Sequence, residues 1–313
     1  MKKILAVILV LLLLISFACP VSALSSSDEN TISGVELSIK RTKSKILGQS
    51  KIELANEILA ELGLEDNLIE KLAEERKIEV ADAYEIYRVD EYGKVYSDGS
   101  ILPISKVEFD DYEIKNTENN MQKAQTPQEG YEYIEEDGTF HKQLYVIRTK
   151  NAPQGTYGII TAYQWKKTAY WKGIDVISIS SNSLVFDKSS FAATVVYEKN
   201  KFSGVEGQYE YYDYPALQRE DMLLAYNNAV VLKYNLPNCS FSEMTFLITV
   251  SSIIDKPSIS AAFNVYVYYF HQKTVVSFNG ISISEDGASV SVSPKTSYDS
   301  YYISTTSPIL YNP

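Results

Sequence analysis

The sequence is poor in the residue types that most often carry chemistry at protein sites. Its 313 residues include only 2 His and 2 Cys, too few soft ligands for a dense metal site. It contains no His-Glu-x-x-His, no Cys-x-x-Cys and no Gly-Lys-Ser/Thr motif, which argues against zinc-dependent hydrolysis and nucleotide use. We therefore expect neither a metal ion nor a cofactor, and the sequence identifies no catalytic residue.

Long apolar runs are also scarce, and the one that occurs lies at the start of the chain. It extends from Ile4 to about Phe17 after two lysines and is followed by Val21-Ser22-Ala23. This order is typical of a bacterial secretion signal cleaved after Ala23, with no transmembrane segment left in the mature chain. A lipoprotein signal at Cys19 is the less favoured alternative, because the segment before it lacks the expected aliphatic residue. We expect a secreted, extracellular protein.

Cysteine is nearly absent from the mature chain. Only Cys239 remains after removal of the signal, so no internal disulfide can form. Stability must then come from burial of side chains, which a chain with 45% hydrophobic residues can supply.

Charge divides the sequence into two regions. Residues 24–137 carry 27 Asp and Glu against 13 Lys and Arg, whereas residues 138–313 carry 13 against 14. Such an asymmetry indicates separate modules, and the acidic balance argues against a nucleic-acid partner. We expect a signal peptide (1–23), a polar and basic lead-in (24–50), a small acidic α+β unit (51–115), a linker rich in Asn and Gln (116–130) and an antiparallel β-sandwich (131–313).

The acidic unit begins with a helical pattern. Apolar residues recur at helical spacing over residues 51–64, and Gly63 is placed to end this helix. A second apolar stripe, Leu68, Ile69 and Leu72, predicts the other half of a helical hairpin. From Glu79 the pattern alternates, which predicts short antiparallel strands.

The remainder of the chain reads as about ten short strands separated by turns, a pattern typical of a sandwich or jelly roll. Asp286-Gly287, flanked by alternating residues, is the strongest hairpin signal. Met244–Val250 is largely apolar, as expected for a strand covered on both faces, and Pro215–Tyr226 is the one helical candidate. The predicted fold class is mainly β: an antiparallel, jelly-roll-like β-sandwich preceded by a helical hairpin and short strands.

The two histidines are weak candidates for catalysis. His141 and His271 lie near predicted strand ends, and there is no Gly-x-Ser-x-Gly motif to supply a nucleophile. Acidic clusters at 110–113 and 135–137 are interpreted as solvated turns. A carboxylate-dependent, glycosidase-like hydrolase stays open as an alternative, because its two carboxylates can be distant in sequence.

Tyrosine is the residue present in unusual number, with 25 copies. Ordinary packing on sheets explains most of them. Three segments also suit a ring platform for a sugar or a protein: Trp165–Trp171, Tyr209–Tyr214 and Tyr266–Tyr269. The predicted ligand-binding residues are Trp165, Tyr170, Trp171, Tyr209, Tyr211, Tyr212 and Tyr214.

These observations favour an extracellular binding or interaction protein over an enzyme. Its expected partners are a cell-wall glycan or another extracellular protein. The alternatives are the hydrolase above and a structural or matrix protein that assembles through β-strands, as the Ser/Val/Ile alternation over residues 281–293 would allow.

Overall fold

The fold is taken from a computed structural model of the chain. The residues that it describes belong to one unit within Ser33–Pro313. The described residues are 35–40, 49–96, 101–125, 138–149, 155–166, 174–199, 210–215, 223–226, 228–235, 243–272, 280–284, 287–291, 298–305 and 308–311.

Three short helices precede the main strands. The first is fixed at its start by a capping box, in which Glu53 N–H donates to Ser50 Oγ (3.1 Å) and Ser50 N–H donates to Glu53 Oε2 (2.8 Å). It is followed by Gly63 at φ 76°, the left-handed conformation expected after a helix. Two short helices follow it, and the last of them ends at Ala81, although a strand was expected to begin at Glu79. The helices are α1 (Lys51–Glu61), α2 (Asp66–Lys71) and α3 (Glu74–Ala81).

A fourth helix, α4 (Lys106–Gln125), covers the first ten residues of the segment expected to be a linker. Residues 105–125 contain no Gly or Pro, and Ser105 with Glu108 forms a second capping box (Glu108 N to Ser105 Oγ, 3.2 Å). Residues 126–137 lie outside the described residues. Independent folding of the two predicted modules stays a prediction, although strands from both sides of the linker share one sheet.

The first sheet has eight antiparallel strands in the order β1-β2-β4-β5-β11-β7-β8, with β3 added on β2. It joins β2, from the acidic region, to β4, with Val89 opposite Leu144. The strands are β1 (Val35–Lys40), β2 (Ala83–Val95), β3 (Ile101–Ile104), β4 (Gly138–Thr149), β5 (Thr156–Trp165), β7 (Leu184–Lys199), β8 (Glu210–Pro215) and β11 (Glu243–Ile254).

The second sheet has five antiparallel strands in the order β16-β13-β6-β10-β9. Its strands are β6 (Ile174–Ser181), β9 (Leu223–Tyr226), β10 (Ala229–Asn235), β13 (Val265–Gln272) and β16 (Tyr298–Ser304). Two small two-stranded sheets complete the fold: β12 (Ala261–Phe263) with β17 (Ile309–Tyr311), and β14 (Gly280–Ser284) with β15 (Gly287–Ser291).

Two apolar cores hold these layers together. The larger core lies between the sheets and includes Leu144, Phe246 and Val267. The smaller core lies on the other side of the first sheet, where the helices contribute Leu59 and the strands contribute Tyr145 and others. The central strands of the first sheet are therefore buried on both faces, which is why Met244–Val250 reads as an apolar run.

The predicted fold class is confirmed, as is the hairpin around Asp286-Gly287, in which Ile281 lies opposite Val290. The helical prediction for Pro215–Tyr226 is wrong in the part that is described, because Leu223–Tyr226 pairs with β10 as a strand. At the edge of the sheet these four residues form backbone hydrogen bonds with β10, and these bonds outweigh the weak helical pattern of the segment.

Candidate functional site

Trp165 lies in the core between the sheets and presents no exposed ring. Only 2% of its surface is accessible, and its ring centroid is 4.6 Å from that of Phe140 and 5.9 Å from that of Tyr269. Position 165 continues the inward face of β5 that Tyr157, Ile159 and Tyr163 begin. A surface platform would therefore have to use the other predicted residues.

The other six predicted residues are only partly covered by the structure. Tyr170, Trp171 and Tyr209 lie outside the described residues. Tyr211, Tyr212 and Tyr214 lie on β8, at one edge of the first sheet, with Tyr212 opposite Tyr197. A ligand-binding role for these six stays a prediction.

A different set of rings lies on the outer face of the second sheet, the face that points away from the first sheet. Tyr266 and Tyr268 are half-buried there, and Phe270 is 9% exposed. The rings of Tyr268 and Phe270 are stacked, with centroids 6.0 Å apart and an interplanar angle of 10°. We call Tyr266, Tyr268 and Phe270 the tyrosine ledge.

Strand alternation creates this ledge. Val265, Val267 and Tyr269 of β13 point inward and are fully buried, so the residues between them point outward. At one end, Asn264 Nδ2 donates to the Tyr266 hydroxyl (3.3 Å) and Asn264 Oδ1 accepts from Thr305 (3.0 Å). The ledge is thereby fixed at its end as well as along its strand.

The tyrosine ledge is flanked by hydroxyl-bearing residues. Ser178 of β6 lies opposite Tyr268, and Ser180 lies opposite Tyr266. Lys233 is the one charged side chain among the described residues of this face. Burial raises the pKa of the Tyr268 phenol, with Tyr266 adding to the shift, so the Tyr268 ring is neutral at physiological pH. The outer face is suited to a neutral ligand that stacks on rings.

His271 belongs to a buried polar group on the inner face of the second sheet. Its Nδ1 lies 3.0 Å from Oδ1 of Asp175, and the Tyr269 hydroxyl donates to the other oxygen of the same carboxylate. Asp175 is 0% exposed and His271 is 3% exposed. This group therefore has little contact with solvent and serves to connect β6 and β13.

His141 belongs to a second group of polar side chains, on the face of the first sheet that packs against the helices. Its Nε2 lies 3.0 Å from Oδ1 of Asp90, which also accepts from Arg88 Nη2 (2.9 Å). The His141 ring stacks on Tyr92 at 4.5 Å, and Phe109 of α4 packs beside both. Burial raises the pKa of the Asp90 carboxyl, but the hydrogen bonds and charges of His141 and Arg88 outweigh this effect and lower the pKa below its usual value.

Asp90 should make the free energy of unfolding depend on pH. A carboxyl whose pKa is lower in the folded state stabilises the protein above its unfolded pKa of about 3.9, and this contribution is lost as the pH falls through the folded pKa. We expect Asp90→Asn to lose less free energy of unfolding than the wild type between pH 7 and pH 3. Urea unfolding at both pH values measures this difference, and Asp110→Asn, at an exposed carboxyl, is the control. Equal losses for wild type and Asp90→Asn would contradict the assignment.

Residues 110–113, which were predicted to form a solvated turn, lie on helix α4 instead, and their acidic side chains partly form ion pairs. On α4, Asp110 pairs with Lys106, and Glu113 pairs with Lys166 at 2.9 Å. Residues 135–137 lie outside the described residues. Among the residues that the structure describes, no three His, Cys, Asp or Glu side chains form a group that could hold a metal ion. None of the described helices is long and apolar enough to cross a membrane.

Comparisons with known proteins add little to this geometry. No protein-family model matches the chain, and no curated protein matches it.

Solved structures give partial matches to bacterial surface proteins. The collagen-binding subdomain of the Enterococcus faecalis surface protein ACE matches 49% of this chain and 88% of its own, with 10% identity and a TM-score of 0.27. A collagen-binding domain of a Staphylococcus aureus adhesin matches 36% and 75%, with 13% identity and a TM-score of 0.23. The Streptococcus pneumoniae pilus backbone RrgB matches 57% and 52%, with 14% identity and a TM-score of 0.23. TM-scores in this range do not establish a shared fold.

Proposed function

We propose that the protein is an extracellular binding protein and that the tyrosine ledge is its ligand-contacting surface. The observation that carries this proposal is the partial exposure of Tyr266 and Tyr268 on β13, whose other residues from Val265 to His271 are buried. Large, rigid rings that are partly exposed provide contact area at a low cost in conformational entropy. The buried residues between them keep the ledge in one shape.

The extracellular part of the proposal is supported by the sequence. The segment 1–23 has the organisation of a secretion signal, and the mature chain would contain a single cysteine. Cleavage after Ala23 and release outside the cell belong to the proposal, since residues 1–34 lie outside the described residues.

Asp90 and Asp175, two of the buried carboxylates among the described residues, do not supply the pair that the hydrolase alternative needs. Asp90 is 2% exposed and Asp175 is 0% exposed, and each is engaged by a histidine and by a further donor. A glycosidase places its two carboxyl groups on either side of a substrate and a water molecule. Of the two candidate functions, ligand binding on the tyrosine ledge and carboxylate-dependent hydrolysis, ligand binding has the more direct structural support.

Tyr268→Ala tests this proposal. We expect the variant to bind at least about tenfold more weakly, as truncation of an aromatic residue at the centre of an interface does. Its melting temperature should change little, because the Tyr268 side chain is only half-buried. Retention is measured on purified bacterial cell walls and on immobilised extracellular matrix proteins, each against soluble protein.

The matched control is Tyr84→Ala, which removes a half-buried tyrosine from the first sheet, where its ring lies 5.0 Å from the Arg148 guanidinium. This variant should be retained like the wild type. If Tyr268→Ala folds and is also retained like the wild type, the ledge is only a packed surface and the proposal fails.

A further inference from the structure

Strand β16 forms one edge of the second sheet, and among the described residues it pairs on one side only, with β13. An unpaired edge presents a row of N–H and C=O groups, which native proteins usually protect with short strands, charges or proline. The other edges of the two main sheets have such protection. β3 and β9 have four residues each, and β1 and β8 carry two charged residues each. β16 has seven residues, with one charged residue and no proline, so its edge is suited to receive another strand.

The register shows which backbone groups of β16 point away from β13. Thr305 N–H donates to the Val265 carbonyl (3.2 Å), so these two residues form a hydrogen-bonded pair. The pairing continues without a bulge along the whole of β16, and hydrogen-bonded pairs alternate with non-hydrogen-bonded pairs along an antiparallel ladder. The N–H and C=O groups that point outward from the sheet edge are therefore those of Ser300, Tyr302 and Ser304.

The same three residues lie beside the tyrosine ledge. The register pairs Ser300 with Phe270, Tyr302 with Tyr268 and Ser304 with Tyr266. A strand added at this edge would place alternate residues in the same cross-strand rows as the ledge, about 10 Å from β13. Ser304 is small and partly exposed, so a long side chain in its row can reach the Tyr266 ring. One ligand can thus contact the edge and the ledge together.

The first sheet extends one strand further than the second sheet at this edge. β16 is in contact with both β2 and β4, and β1 continues the first sheet on the far side of β2. No strand of the second sheet in the described part of the chain lies over β1. A strand added beside β16, at the usual spacing of about 4.8 Å, would therefore lie over the first sheet and gain a second surface to pack on.

This extension of the first sheet argues against a second copy of the chain as the occupant. Antiparallel pairing of β16 with β16 of another copy requires a two-fold axis perpendicular to the sheet, which places both first sheets on the same side. β1 and β2 of each copy would then overlap β4 and β2 of the other copy. A single extended segment brings no second layer, so it fits where a second copy does not.

We propose that the ligand of this protein is an extended peptide segment of another extracellular protein, which pairs with β16 as a sixth strand of the second sheet and contacts the tyrosine ledge with alternate side chains. This inference rests on the proposed function, because it takes the ledge as part of the binding surface. In strand addition, main-chain hydrogen bonds supply affinity and alternate side chains supply specificity. A saccharide has no regular row of N–H and C=O groups to pair with this edge.

Hydrogen exchange in the free protein, measured for each amide by NMR, tests whether the edge is open. The N–H groups of Ser300, Tyr302 and Ser304 should exchange fast, whereas those of Tyr301 and Ile303, which bond to β13, should exchange slowly. A bound peptide should slow exchange in the first group. If the free protein already protects the first group as well as the second, the edge is covered and the proposal is overturned.

Ser300→Pro tests the pairing itself, with arrays of overlapping linear peptides from the extracellular matrix proteins used above as probes and purified cell walls in parallel. Proline removes the outward N–H at position 300 and no bond to β13, so the melting temperature should change little. Affinity for the captured peptide should fall by about tenfold, as for the loss of one hydrogen bond. Ser300→Thr keeps the N–H and is the matched control, which should bind like the wild type.

N-methylation of the peptide, one residue at a time, tests the same pairing from the other side. Affinity should fall at every second residue only, because alternate N–H groups of an added strand face β16. This measurement uses the wild-type protein, so it decides the proposal even if Ser300→Pro does not fold.

The remaining outcomes separate this inference from the proposed function. If Ser300→Pro binds like the wild type and N-methylation shows no alternation, strand addition is overturned, whereas the proposed function stands as long as Tyr268→Ala loses binding. If the wild type is retained by cell walls and binds no peptide, the ligand is not an added strand and the inference is wrong. If Tyr268→Ala retains full binding, or the wild type binds none of the probes, both proposals fail.

Discussion

Replacing Asp175 by Ala should destabilise the protein by about 3–5 kcal/mol, because it leaves two buried side chains without their acceptor, each at a cost of about 1–3 kcal/mol. The carboxylate is 0% exposed and accepts from the Tyr269 hydroxyl, and it lies 3.0 Å from Nδ1 of His271. Its removal takes this acceptor from both residues inside the core. The second sheet should be affected first, because these three side chains connect β6 with β13.

Urea unfolding followed by circular dichroism measures this loss. Asp255→Ala is the control, since Asp255 is an exposed carboxylate at the end of β11 and its loss should stay within about 0.5 kcal/mol. A loss for Asp175→Ala no larger than that of Asp255→Ala would show that the buried group does not support the sandwich.

Replacing Trp165 by Ala should also cost about 3–5 kcal/mol, because the change leaves a large cavity in a packed core. The ring is 2% exposed and lies against Phe140 and His271, at centroid distances of 4.6 and 5.4 Å. Binding by the fraction of Trp165→Ala that remains folded should be unchanged.

Thermal and urea unfolding measure the loss, and Tyr268→Ala is the comparison. We expect opposite profiles: Trp165→Ala is unstable but competent to bind, whereas Tyr268→Ala is stable but weak in binding. If Trp165→Ala melts like the wild type and loses binding, the ring is a ligand contact and its place in the core is wrong.

Local patterns were sufficient to predict most of the strands. The apolar run predicted the strand at Met244–Val250, which lies within β11, and turn residues with flanking alternation predicted the hairpin around Asp286-Gly287. Helix α4 could also have been recognised, because Ser105 and Glu108 have the spacing of a capping box. Its high Asn and Gln content suggested a linker instead, although Gln is a good helix former and Asn lowers helix stability without ending a helix.

The binding surface could not be chosen from the sequence, because alternation shows which residues share a face but not which face is covered. Trp165 and Tyr268 are both aromatic residues in alternating strands, yet one points between the sheets and the other points outward. Whether a ring points inward or outward depends on how strands that are distant in sequence pair and pack together. The contact between His141 and Asp90 could not be predicted from local patterns either, because the two residues are 51 positions apart in the sequence.

The affinity of Tyr268→Ala relative to wild type, measured on the material that the wild type retains, tests the role of the tyrosine ledge most directly. Both proteins are compared at a temperature at which melting curves show them to be folded. We expect binding at least about tenfold weaker for the variant, with nearly superimposable melting curves. Equal affinities for two folded proteins would contradict the assignment of the ledge as the ligand-contacting surface.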